Sequence, residues 1–125
     1  MSLSVDVFVV GGNGKIDVLD VPEGCSDLAG FESWRTSVWG SEAVRSLGAS
    51  FFPVLANEDL TVFPDHVADL LAECAVIRNN LEAVAPSIDP SKSHAEYVRQ
   101  ISQRLQNIET AAERAQSLGG GVLIW

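Results

Sequence analysis

Basic residues are scarce in this sequence. Eight Lys and Arg stand against 17 Asp and Glu, a formal charge of −9 with His neutral. A field of that sign repels phosphate backbones and anionic lipid, so neither nucleic acid nor a membrane surface is expected as a partner. Cysteine is scarce too: Cys25 and Cys74 lie far apart in unrelated contexts and make neither a disulfide framework nor a paired metal motif. Reduced thiols and a cytoplasmic location are the expectation. No run approaches the roughly 18 consecutive apolar residues of a membrane span. The first ten residues lack a basic start and carry Asp6 inside their apolar stretch, which makes a poor signal peptide. Low-complexity tracts and internal repeats are absent, and 46% hydrophobic with 20% charged residues is the balance of an ordinary globular chain. One α/β domain over residues 1–125 is expected.

The charge is unevenly spread. Residues 1–77 hold twelve acids against three bases, Lys15, Arg35 and Arg45, whereas residues 78–125 hold five of each. The whole net charge therefore belongs to the first part of the chain, where it favours encounter with a basic partner. Acidity also serves solubility alone, and composition does not separate the two uses.

The chain begins with two Val- and Ile-rich stretches, 3–10 and 15–21, around Gly11-Gly12-Asn13-Gly14, which predicts a β-hairpin. Leu3, Val5, Val7 and Val9 share one face; Leu19 disturbs the alternation of the second stretch, as a bulge would. Residues 22–40 show no period and read as a structured loop holding Phe31, Trp34 and Trp39. Ser41 is placed to cap a short helix ending before Gly48, residues 49–55 read as extended, and Leu60 to Phe63 as a short strand. From Pro64 the residues Val67, Leu70, Cys74, Ile77, Leu81 and Val84 recur at helical spacing up to Pro86. After the connection 87–91, a second helix starts near Ser93 or His94 with Val98, Ile101, Leu105, Ile108, Ala112 and Ala115 as its stripe. Gly119-Gly120-Gly121 ends it, and Val122 to Trp125 forms a last strand. The expected fold is α+β: a mainly antiparallel sheet against an antiparallel hairpin of two long helices, with the C-terminal strand joining the sheet.

No catalytic residues are assigned. Gly11-Gly12-Asn13-Gly14-Lys15 lacks the Walker spacing, and a strand rather than a helix follows it. Neither a Gly-x-Ser-x-Gly elbow nor a dinucleotide fingerprint occurs. Cys25 is the one plausible nucleophile, but nothing in the sequence places a base beside it. His66, Asp69 and Glu73 fall within about 60° around one helix, a spacing suited to a divalent ion, yet acids in a first turn also favour the helix dipole. No metal and no cofactor are expected. The distinctive stretch is aromatic and acidic at once, since Trp34 and Trp39 stand among Asp27, Glu32 and Glu42, with Glu58 and Asp59 in a later turn. These seven residues are the candidate partner-binding set, because aromatics anchor interfaces and acids steer basic proteins. Burial of most of the Phe31, Trp34 and Trp39 ring area is the favoured reading, with part of the rim left for contact.

Three features together carry a resemblance: Phe52-Pro53-Val54-Leu55, Asp59-Leu60-Thr61-Val62-Phe63-Pro64 with Leu70-Leu71-Ala72-Glu73-Cys74, and a last helix closing on Gly119-Gly120-Gly121-Val122-Leu123-Ile124-Trp125. This apolar patterning, over the C-terminal two-thirds, resembles small actinobacterial proteins of unassigned function. It is loosely similar to the immunity proteins that accompany bacterial polymorphic toxins. The resemblance implies a cytoplasmic protein that binds and blocks a toxin and carries no catalytic residues.

The sequence is therefore read as an acidic protein-binding module. Two alternatives stay open: a small-ligand or metal-dependent activity in a pocket near Trp34, Trp39 and His66, and a self-associating structural subunit.

Overall fold

The computed structural model describes residues 2–85 and 93–125. The predicted hairpin forms from β1 (Ser2–Val10) and β2 (Ile16–Val18), which pair antiparallel with Phe8 opposite Val18 and Val10 opposite Ile16. The turn is closed by Gly14 N–H to the Gly11 carbonyl and Gly11 N–H to the Lys15 carbonyl, each 2.9 Å. Leu19 does not bulge. It keeps the register, its N–H donating to the Val7 carbonyl at 2.8 Å, and the shift lies instead between Leu3 and Ser4, against a strand the sequence did not announce.

That strand, β3 (Leu28–Phe31), pairs antiparallel with the start of β1. Its sequence, Leu-Ala-Gly-Phe, has no β-branched residue, so pairing with β1 rather than intrinsic propensity makes it a strand. Gly30 sits at φ 122° with the Trp34 ring against its α-carbon, a place where any side chain would collide. A short π-helical turn follows over Arg35–Trp39, closed by Gly40 N–H to the Arg35 carbonyl at 2.9 Å. This wider turn buries Trp34, Val38 and Trp39 together.

Ser41 caps α1 (Glu42–Ser46) as expected, its Oγ accepting from Val44 N–H at 3.3 Å. Residues 49–55 are not extended. A 3₁₀ turn spans Phe52–Ala56, with Phe52 and Leu55 buried one turn apart. Then β4 (Leu60–Val62) leads through a 3₁₀ turn, Pro64–His66, into α2 (Val67–Arg78). The single helix expected up to Pro86 is interrupted at Asn79 and Asn80, and α3 (Leu81–Val84) follows. The Asn80 side-chain amide donates to the Val76 carbonyl at 2.8 Å, competing with the backbone for that acceptor. Pro86 and the connection 87–91 lie outside the described residues.

Ser93 caps α4 (His94–Leu118), which ends on Gly119 in the left-handed region, and β5 (Gly121–Ile124) returns to the sheet. The five strands form one antiparallel sheet in the order β2-β1-β5-β4, with β3 on β1 as well. The fold is thus α+β with the C-terminal strand in the sheet. Leu3, Val5, Val7, Val122 and Ile124 point to the helical layer, where α4 contributes Ile101, Leu105, Ile108, Ala112 and Ala115, all buried. Arg78 of α2 ties to α4 through the Glu109 carboxylate (Nε to Oε1, 3.0 Å) and Ser102 Oγ (2.9 Å). His94 Nε2 lies 2.9 Å from the Glu82 carbonyl. Among the described residues no helix is long and apolar enough to cross a membrane.

Candidate functional site

Trp34 and Trp39 of the aromatic segment are core. Trp34 is 4% exposed and Trp39 0%, and ring contacts run from Phe31 through Trp34 and Trp39 to Phe52, with centroids 5.7, 5.9 and 4.9 Å apart. Trp39 Nε1 donates to the Ala29 carbonyl at 3.0 Å, so its polar tip is satisfied inside. The expected burial of both indoles is present, and the rim that remains is Phe31, 45% exposed. Trp34 and Trp39 therefore cannot act as contact residues in the folded chain, which corrects their place in the candidate set.

The acids around them divide by partner. Arg35 reaches Glu32 Oε1 at 2.6 Å and Asp59 Oδ1 at 2.7 Å, and also donates to the carbonyls of Leu55 and Glu58. These bonds raise the Arg35 pKa, the Asp59 bond most, and fasten the segment 32–35 to the turn before β4. Glu32 and Asp59 thus hold structure together, whereas Glu42 and the Glu58 side chain are exposed, with no base beside them among the described residues, and Asp27 is half-buried. Arg35 thus brings three of the five candidate acids to one place, Glu32 and Asp59 through their carboxylates and Glu58 through its carbonyl, while Asp27 and Glu42 have no tie to it.

The trio His66, Asp69 and Glu73 does not assemble either. His66 Nδ1 lies 3.6 Å from Asp69 Oδ2 with both side chains exposed. Glu73 is turned elsewhere, its carboxylate accepting the N–H groups of Ser50 (2.6 Å), Phe51 (3.0 Å) and Phe52 (2.8 Å). It caps the Phe52–Ala56 turn, which is why that stretch winds up instead of extending. Among the described residues, no group of three His, Cys, Asp or Glu is placed to hold a metal ion.

Three surface cavities lie away from the expected pocket. One sits between β1, residues 19–26 and α4, bounded by Val5, Leu19, Cys25 and Arg114. A more polar groove adjoins it, sharing Cys25, Ser26 and Thr110 and adding Gln103, Gln106 and Asn107. A third lies between Leu47–Ala49 and Ala72–Val76 of α2. Trp34, Trp39 and His66 line none of them. Cys25 is exposed, and Cys74 is buried with its pKa pushed up by desolvation, so Cys74 is an inert core thiol.

One surface was not singled out in the sequence. Side chains at Val10, Ile16, Val18, Phe63 and Trp125 stand on the sheet face opposite the helices, each 39–49% exposed. The signal for it was present in β1, where Phe8 and Val10 make the second face apolar as well as the first. With this geometry in place, comparison with known proteins adds no relative: no protein-family model, no curated protein and no solved structure matches the chain.

Proposed function

We propose that this chain is an acidic protein-binding domain whose partner is a basic protein. One observation carries the reading. Ten of the twelve acids in residues 1–77 have no Lys or Arg partner among the described residues, Glu32 and Asp59 being the exceptions through Arg35. In the second part of the chain, by contrast, Arg78 pairs with Glu109 and Arg99 with Glu96. Glu73 among these ten caps a turn and Asp6 accepts from Trp125; the other eight are unpaired with any Lys or Arg at the surface, where they cost self-repulsion and return it as steering toward a positive surface. The form implied by the resemblance to immunity proteins is an inhibitor of a basic toxin, acting in the cytoplasm with Cys25 and Cys74 reduced. Nucleic acid and anionic lipid carry the wrong sign for this surface.

The test is capture of the partner from the source cell, followed by titration. A variant carrying Asp17→Lys, Asp20→Lys and Glu58→Lys, all at exposed positions whose carboxylates make no ion pair among the described residues, weakens binding by about tenfold or more while folding normally. Glu113→Lys, exposed in the neutral part, changes it little. No partner, or one indifferent to the triple variant, contradicts the reading.

A further inference from the structure

We infer that the basic partner docks on the open face of the sheet, and that it presents an apolar surface bordered by Lys and Arg. The inference rests on the acidic-binding reading and adds the place and the chemistry of contact. Alternation along β1 sends Leu3, Val5 and Val7 to α4 and leaves Asp6, Phe8 and Val10 on the other side. Register carries that side across the sheet: Val18 and Gly121 stand opposite Phe8, Ile16 opposite Val10, and Leu123 opposite both Asp6 and Thr61. Trp125 exchanges backbone bonds with Ser4, 2.8 and 3.0 Å, and Phe63 follows Thr61 and Val62 out of β4.

An antiparallel sheet with one solvated face normally makes that face polar. Here it holds five of the ten large apolar side chains exposed among the described residues. The patch is also held in shape. Phe8 beneath it is 0% exposed and meets the edge of Phe63 with centroids 5.7 Å apart, and its ring crosses β5 at Gly121, where a β-carbon would collide with it. Trp125 Nε1 donates to Asp6 Oδ2 at 2.8 Å, which fixes the exposed indole. A fixed apolar surface loses little conformational freedom on binding.

Charge selects the occupant. Asp6 lies on the face, Asp20 follows its β2 edge and Asp65 its β4 edge, whereas Asp17, opposite Val9, points to the other side and Asp59 is held by Arg35; Lys15 is the one base in the hairpin. A second copy of the chain would set these acids against themselves, because a two-fold interface opposes like to like. A partner with Lys and Arg around an apolar centre matches both the middle and the border.

The probes are two short synthetic peptides of equal length and charge, one alternating Lys with Leu and one alternating Lys with Ser. Each is titrated into the ¹⁵N-labelled full chain. The Lys-Leu peptide is expected to bind about tenfold more tightly or better, with shifts concentrated at Val10, Ile16, Val18, Leu123 and the Trp125 indole. Phe63→Ser with Val18→Ser removes that preference, and both sites are exposed enough for the fold to survive. Equal binding of the two peptides, or shifts away from this face, overturns the docking surface and leaves the acidic-binding reading standing. Binding of neither overturns both. Concentration-dependent dimerisation in sedimentation, moving the same signals without peptide, assigns the face to a second copy and overturns the inference.

Discussion

The Glu73 side chain on α2 caps a segment far from it in sequence. Its carboxylate takes three successive backbone N–H groups, Ser50 to Phe52, each of which would otherwise lack a partner within its own turn. Glu73→Ala is expected to destabilise the fold by about 1–3 kcal/mol in urea denaturation, and Glu73→Gln, which keeps one acceptor oxygen, by less. Gly121 is fixed by crowding. Gly121→Ala forces a methyl onto the Phe8 ring and the Val62 carbonyl and should cost about 1–3 kcal/mol, whereas Gly12→Ala, with open space around it, is nearly neutral. The thiols differ in the same physical terms. Cys25 should react with a thiol reagent in the native state and Cys74 only on unfolding, so one equivalent is labelled before denaturation and two after. Because burial raises the Cys74 pKa above its unfolded value, the native state holds that proton longer. Its stability contribution is full below the ordinary thiol range and is lost as pH rises beyond it. The alkaline fall in stability should be shallower in Cys74→Val.

Elements with a strong period were legible in the sequence, and those made by tertiary contact were not. The stripe from Ile101 to Ala115 is buried throughout, and the hairpin, the last strand and the caps at Ser41 and Ser93 form where local chemistry places them. By contrast, β3 owes its strand to β1, and the Phe52–Ala56 turn owes its helical form to Glu73, partners that lie outside any local window. The break after α2 was hidden for another reason. Val84 stays buried after Asn79 and Asn80 interrupt the helix, so the hydrophobic spacing continues while the backbone does not. The α4 assignment has a direct check. Ile101→Asp places an unpaired charge in the core and should cost several kcal/mol, while Gln103→Asp, on the exposed side, should stay under about 1 kcal/mol. Equal melting temperatures would contradict this packing.

At the scale of the molecule, charge was readable and its surface was not. Composition locates the acidity in residues 1–77, but the candidate contact residues come from the aromatic stretch and the turn at Glu58 and Asp59, where Trp34 and Trp39 turn inward and Arg35 ties Glu32 to Asp59. The exposed apolar patch is assembled from four strands spread from Val10 to Trp125, and only register brings these residues side by side. A molecule with a fixed apolar face inside a negative field binds in two stages, steered encounter and then dry contact, and salt separates them. The most direct measurement is therefore the association rate constant with the captured partner as salt rises from about 0.1 M to 1 M, over which the Debye length shrinks from about 10 Å to 3 Å. Association is expected to slow about tenfold or more while dissociation changes little, and the Asp17→Lys, Asp20→Lys, Glu58→Lys variant to start slow and lose most of its salt dependence. An association rate that ignores salt and these charges alike would contradict two-stage binding.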